Sequence, residues 1–238
     1  MIVIPMLGKS SRFFKAGYKV PKYQLPLGDE TVFSKSVRTF EKQFLNTPFL
    51  FLLRADHNAL KFVTHEIVKL GIKDFRIKEL NYETRGQAES VFIGISEYDG
   101  DIPILIFNVD TIRLDFKVPD KKIYGDGFIE VFKAEGDAWS FVEAGVQNKV
   151  IRTTEKKRIS NLCSNGLYGF AKCRDYKFAY SEYLKTGVFV NEEIYIAPLY
   201  NTLIQKGLRI NYIEVEAEKI IHCGIPEDYE HLIKNKFL

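Results

Sequence analysis

Apolar positions follow two rhythms along this chain. Residues 2–7 (IVIPML), 48–55 (PFLFLLRA) and 102–110 (IPILIFNVD) are short, almost continuously apolar runs, the pattern of strands covered on both faces of a parallel sheet. Between them, residues 31–43 carry apolar side chains at 32, 33, 37 and 40, a helical spacing. Asn58 is placed to cap a helix that reaches Leu70, because its side chain can accept from an orphan backbone N–H. DFRIKEL (74–80) reads as a further strand and GQAESVFIGISEY (86–98) as a further helix. Strand and helix alternate from residue 1 to residue 110, which predicts a doubly wound, Rossmann-like α/β sheet with right-handed crossovers.

Beyond residue 110 the rhythm changes. FIEVFKA, WSFVEAG, KVIRTTEK and NGLYGFAK predict a β-rich insertion, divided by turn signals at Gly136-Asp137 and Gln147-Asn148. Helices are expected over 173–185 and 192–206, a strand over 210–215, and a closing helix opened by Pro226, whose missing N–H suits a first-turn position. In such sheets ligands bind beyond the carboxyl ends of the strands, so the loops after residues 7, 55, 80 and 108 are expected to line one crevice.

Composition narrows the function classes. The 238 residues carry 34 basic and 31 acidic side chains, a net charge of +3, too balanced for nucleic-acid binding by bulk electrostatics. No apolar stretch approaches the roughly 18 residues of a membrane helix, and no cationic flank precedes a long apolar run at the start. A cytoplasmic protein that binds neither nucleic acid nor membrane is expected. Cys163, Cys173 and Cys223 lack CxxC spacing, so free thiols are expected. A homo-oligomer is compatible with the sequence, which fixes no oligomeric state.

Positive charge is concentrated locally, in LGKSSRFFKAGYKVPK (7–22) at the end of the first strand. Gly8 permits a tight turn, successive backbone N–H groups in such loops can form an anion nest, and Arg12 and Lys22 offer a planar fork and a mobile ammonium to phosphate oxygens. A solvated basic turn explains the same composition. Asp110 ends the apolar run ILIFNVD, a common place for a carboxylate that holds Mg²⁺ against phosphates, while a capping aspartate is the alternative.

Together these stretches resemble the nucleotidyltransferases that activate sugar phosphates and related phosphorylated metabolites, whose signature loop usually reads G-x-G-[ST]-R followed by P-K. Three internal segments resemble family blocks in the same order: ETRGQAESVFIG (83–94), FNVDT (107–111) and EKKRISNLCSNGLYGF (155–170). NEEIYIAPLYNTLIQKG (191–207) and HCGIPEDYEHL (222–232) look like the C-terminal blocks of compact members, several of them from capsule or surface-polysaccharide pathways. The resemblance covers nearly the whole chain. It implies one domain over 1–238, with a nucleotide-binding half (1–115) and an acceptor-binding half (116–238).

The resemblance also assigns roles. Leu7, Gly8, Ser10 and Ser11 would wrap the nucleotide phosphates, with Arg12 on the β- and γ-phosphates and Lys22 near the α-phosphate. Gly86 and Gln87 would approach the base. Lys156, Asn165, Gly166 and Glu193 would hold the acceptor, and Asp110 with His222 would occupy the positions of the Mg²⁺ ligands. Two positions depart from the pattern: Ser10 stands at the usual second glycine, and His222 stands where members often carry an aspartate. Histidine is a poor ligand for Mg²⁺, which prefers oxygen; Glu216 or Glu218 could substitute, or one carboxylate plus phosphates could suffice. The implied activity is transfer of a nucleoside monophosphate from a triphosphate, CTP first and UTP second, to a sugar 1-phosphate or a phosphocholine- or phosphoglutamine-like acceptor. A nucleotide-sugar glycosyltransferase and a non-catalytic nucleotide sensor are the competing readings.

Overall fold

The structure is a computed structural model that describes residues 1–187 and 189–235. In chain order the elements begin with strand β1 (Ile2–Met6), helix α1 (Ser11–Lys15), the short strands β2 (Pro26–Leu27) and β3 (Glu30–Thr31), and helix α2 (Val32–Val37). Strand β4 (Phe49–Arg54), helix α3 (Ala59–Leu70), strand β5 (Phe75–Leu80), helix α4 (Gln87–Gly94), strands β6 (Ile104–Phe107) and β7 (Thr111–Arg113), and helix α5 (Lys121–Tyr124) follow. Then come β8 (Gly127–Lys133), β9 (Ser140–Ala144), β10 (Val150–Glu155) and β11 (Leu162–Phe170), and helices α6 (Cys173–Thr186) and α7 (Leu199–Gln205). Strands β12 (Ile210–Glu214) and β13 (Ile220–His222) and helix α8 (Pro226–Lys234) complete the order.

The chain divides into two units, and the division runs through β1. Unit 1 contains Met1–Val3, Thr84–Phe107 and Lys117–Ala217; unit 2 contains Ile4–Glu83, Asn108–Phe116 and the chain from Glu218 onward. In unit 1 the strand order is β10-β9-β11-β6-β1, with β8 pairing both β11 and β12. β1 runs parallel to β6 (Ile2 opposite Leu105), whereas β11 is antiparallel to β6 (Tyr168 opposite Ile106). In unit 2 the order continues from β1 to β4 and β5, the last two parallel, with Phe51 opposite Ile77. This is the mixed α/β sheet expected from the sequence. Every residue of β1 and β6 is buried, as are Phe49–Leu53 of β4, which is why these strands read as continuous apolar runs rather than alternating ones.

Local departures from expectation have identifiable causes. The helix expected over 31–43 is α-helical only to Val37; Phe40 then leaves helical geometry (φ −107°, ψ 24°), and its ring packs edge-on against Phe49 and Phe116. Asn58 stands at the start of α3 but does not cap it with its side chain and is itself left-handed (φ 54°); the helix reaches Leu70 as expected and is closed by left-handed Gly71 (φ 79°). The helix expected over 192–206 begins only at Leu199, because Pro198 cannot continue a helix entering from before it, and Asn191 and Glu192 are left-handed. The strand expected over 102–110 spans only β6, and the chain then turns, with Thr111 N donating to the Asn108 carbonyl at 3.4 Å. α8 opens on Pro226 as expected. The three cysteines are buried free thiols, and no described helix is long and apolar enough to cross a membrane.

Candidate active site

The basic loop of unit 2 leaves β1 at Leu7 and enters α1 one residue after Ser10. Ser10 is the left-handed residue of this loop (φ 51°, ψ 30°), a conformation that costs a residue with a Cβ more than it costs glycine. Its hydroxyl accepts no bond from α1; it accepts from the backbone N–H of Lys22 at 3.1 Å, tying the two ends of the loop together. Gly8 is not among the positive-φ positions, and a Cβ built on it would meet no atom within 4 Å. The tight turn expected at Gly8 is therefore made at Ser10. Arg12 and Ser11 are exposed, and Phe14 stacks on His57 with ring centres 5.1 Å apart.

Lys22 and Asp110 meet. The ammonium donates to Asp110 Oδ2, and the two side chains are 23% and 20% exposed. Burial alone would push the Asp110 carboxyl up; the Lys22 ammonium, by charge and by hydrogen bond, and the nearby His222 outweigh it and hold the carboxyl below its ordinary value. Asp110 is fixed through its backbone, whose carbonyl accepts from Cys223 N at 2.9 Å. β7 and β13 are antiparallel neighbours, with His222 opposite Thr111, and this pairing brings His222 beside Asp110. Burial keeps the His222 imidazole below its ordinary pKa, with Asp110 acting in the opposite sense. A Cβ on Gly224 would lie 3.0 Å from Asp110 Oδ2, so a side chain there would crowd the carboxylate.

Sequence reasoning missed Asp228, in the first turn of α8. Burial raises its carboxyl, and the charges of Glu227 and Asp110 raise it further. Pro226 was legible as a helix opener, but its neighbour two residues on carried no signal of proximity to Asp110. Glu216 and Glu218, the substitutes considered for His222, are both exposed. Among the described residues, no group of three or more His, Cys, Asp or Glu is arranged to hold a metal ion.

Unit 1 holds the remaining predicted residues. Gly86 precedes α4 with φ 118°, and a Cβ there would lie 2.7 Å from the Ile194 carbonyl oxygen. The reason is a backbone crossing: Ile194 N donates to the Arg85 carbonyl at 2.6 Å and Ala88 N donates to the Ile194 carbonyl at 3.0 Å. Gln87 is the first residue of α4. Asn165, expected at the acceptor, is 2% exposed, with Nδ2 donating to Glu130 at 2.6 Å and Oδ1 accepting from Leu167 N at 3.0 Å. Left-handed Gly166 (φ 90°) and Asn165 lie at an irregularity in the β11–β8 pairing, where both amide atoms of Asn165 are bonded within the protein.

Lys156 is left-handed (φ 52°) and exposed, and its Nζ donates to the Tyr195 hydroxyl at 2.5 Å. That hydroxyl donates in turn to Glu193 Oε2. Beside them, Glu155 is buried and accepts from the Ser140 hydroxyl. Burial pushes its carboxyl up, while the Ser140 hydrogen bond and the Lys156 charge act against the shift. Tyr195 was not singled out from the sequence, where it lies inside a run read as helix.

No protein-family model matches the chain, and no curated protein matches it in sequence. Among solved structures, the nucleoside-diphosphate-sugar pyrophosphorylase from Vibrio cholerae RC9 is 46% identical with a TM-score of 0.93, over 98% of this chain and 100% of that one. The inositol-1-phosphate CTP transferase from T. maritima (15% identity, TM-score 0.74, 99% and 95% coverage) shares the fold. So does a UDP-glucose pyrophosphorylase complexed with UDP-glucose (16% identity, TM-score 0.78, 99% and 97% coverage). Identity of this extent over the full length of the Vibrio protein goes beyond a shared fold, and the chain belongs to the sugar-phosphate nucleotidyltransferase family.

Proposed function

We propose that the protein transfers a nucleoside monophosphate from a nucleoside triphosphate to a small phosphorylated acceptor, with release of pyrophosphate. The observation that carries this reading is the meeting of Lys22 with Asp110, an ammonium and a carboxylate 88 residues apart in the chain, next to a loop rich in further cations. Arg12 clamps the β- and γ-phosphates, the backbone of Leu7, Gly8, Ser10 and Ser11 lies against them, and Lys22 turns from Asp110 to the α-phosphate. Gly86 and Gln87 belong to the base, and Lys156 and Glu193 to the acceptor. The nucleotide is assigned to residues 1–115 and the acceptor to 116–238. CTP is the favoured donor and UTP the second choice. A sugar 1-phosphate or a phosphocholine- or phosphoglutamine-like compound is the acceptor, for capsule or surface-polysaccharide synthesis. These finer assignments rest on the resemblance of the sequence blocks.

The Asp110 carboxylate fits Mg²⁺, which prefers oxygen ligands, and would hold it beside the triphosphate. Asp110 is an oxygen ligand held in its ionised form. His222 is a nitrogen donor that burial favours in its neutral form; we assign it as a neighbour of the ligand rather than a ligand. When bound, Mg²⁺ neutralises charge on the triphosphate.

An oxygen of the acceptor phosphate is already an anion, so the reaction needs no general base. It forms a bond to the α-phosphorus as the bond from that phosphorus to the bridging oxygen breaks, and the electron pair leaves with pyrophosphate. The protein's contribution is to hold two anions in line and to stabilise the charge that builds on the departing group. A pyrophosphate-release screen crossing CTP, UTP, dTTP, ATP and GTP with phosphorylated acceptors, with and without Mg²⁺, tests the reading. Lys22→Met is expected to lower kcat/KM about 100-fold, the effect of one lost transition-state cation. A folded Lys22→Met enzyme that turns over like wild type sinks the assignment.

A further inference from the structure

We propose that Tyr195 is the positioning residue for Lys156, fixing where the acceptor-phosphate lysine stands; the proposal rests on the role given to Lys156 above. The hydrogen bonds can run in one direction only. An ammonium has donors and no acceptor, so in the 2.5 Å contact between Lys156 Nζ and the Tyr195 hydroxyl the phenol oxygen accepts. The phenol's own proton is then committed to Glu193 Oε2. Glu193 thus sets the orientation of the hydroxyl, and the hydroxyl sets the position of the ammonium.

Further features restrict the same residue. The Lys156 Nζ lies 4.6 Å from the centre of the Tyr195 ring, on its hydroxyl edge. The Lys156 backbone is left-handed at φ 52° and its N–H donates to the Trp139 carbonyl at 2.9 Å. Lysine loses more rotamer freedom than most residues when it is fixed. A lysine held in advance at its hydroxyl contact meets a phosphate with less of that entropy still to lose.

The segment that supplies Tyr195 is itself well anchored. Ile194 is fully buried, with its N–H on the Arg85 carbonyl and its carbonyl on Ala88 N–H. Glu193 N donates to the Val190 carbonyl at 2.9 Å. Tyr195 therefore reaches Lys156 from a fixed backbone rather than from a free strand of chain.

The test uses the full-length protein and two independent readouts. Tyr195→Phe keeps the ring and removes the hydroxyl. KM for the acceptor is expected to rise about tenfold, the worth of a hydrogen bond to a charged group, while KM for the triphosphate and kcat stay within about twofold. The second readout needs no acceptor: labelling of Lys156 by an amine-reactive acetylating reagent, followed by peptide mass spectrometry, is expected to speed up in Tyr195→Phe while labelling of Lys149 does not change. Glu193→Gln, at an exposed position, is read by labelling alone, since Glu193 is itself assigned to the acceptor; a smaller speeding of Lys156 labelling is expected, and this variant covers the case of a poorly folded Tyr195→Phe. Unchanged Lys156 labelling, or an unchanged acceptor KM in an active enzyme, overturns the proposal. Faster Lys156 labelling in a protein whose wild type releases no pyrophosphate with any acceptor supports the Tyr195–Lys156 link and counts against the proposed reaction instead.

Discussion

Ser10 separates two properties that are usually lost together. Its left-handed backbone favours glycine, whereas its hydroxyl, accepting from Lys22 N–H at 3.1 Å, is something glycine cannot supply. Ser10→Ala keeps the backbone cost and loses the hydrogen bond, so it should destabilise by about 1 kcal/mol. Ser10→Gly loses the same bond but relieves about 1–2 kcal/mol of left-handed strain, offset in part by the greater freedom of glycine in the unfolded chain. Its net change should stay within about 0.5 kcal/mol of wild type. At roughly 2–4 °C per kcal/mol for a chain of this size, Tm falls by about 2–4 °C in Ser10→Ala and by less than about 2 °C in Ser10→Gly. Activity should follow the other property. Both variants release the Lys22 backbone, and if Lys22 has the role proposed for it, its misplacement lowers kcat/KM by about tenfold or more in each. Thermal melts and steady-state pyrophosphate release on the pair make the comparison. A Ser10→Gly enzyme with wild-type kcat/KM refutes the tether, and equal melting temperatures for the two variants refute the backbone argument.

Two further outcomes follow from unit 1. Gly86→Ala drives a Cβ to within 2.7 Å of the Ile194 carbonyl at a φ of 118°, and urea melts should show a loss of roughly 2–4 kcal/mol; a loss below about 1 kcal/mol would show that the 85–88 and 194 backbones can part cheaply. Burial raises the Glu89 carboxyl, but hydrogen bonds and charge from Arg85, with a bond from Tyr180, outweigh it and hold the pKa below its ordinary value. A depressed carboxyl contributes stability that is present above its unfolded pKa, near about 4.3, and is lost as pH falls through the lower folded pKa. Glu89→Gln should therefore flatten the acid limb of a Tm-against-pH curve below about pH 4.3 and lower Tm at pH 7; an acid limb as steep as wild type removes Glu89 from the account.

The fold was legible wherever burial alone decided it. β1, β4 and β6 announce themselves because both of their faces are covered, and α8 because Pro226 suits a first turn. Expectation failed where a single side chain's packing redirected the backbone, as at Phe40, and where backbone strain replaced a cap, as at Asn58. The site shows the same division. Lys22 and Asp110 were readable because each closes a stretch with a chemical signature, and the structure joins them. That the Asn165 amide would bond Glu130 and Leu167 was not readable, because Glu130 reaches it from another strand. The Tyr195–Lys156 contact and the charge coupling of Asp228 to Asp110 stayed hidden because they join residues far apart in the chain and have no local sequence pattern.

The cysteines give the chain its own clocks for local opening. Cys163 and Cys173 belong to unit 1, and Cys223 belongs to unit 2, with its thiol 3.3 Å from the Asp110 carbonyl. All three are buried, and burial pushes each thiol up, so the folded chain presents almost no reactive thiolate. The rate at which a thiol reagent consumes each cysteine therefore reports how often its surroundings open. For Cys223 that rate reports opening of the segment just after β13, whose backbone N–H and thiol both meet the Asp110 carbonyl.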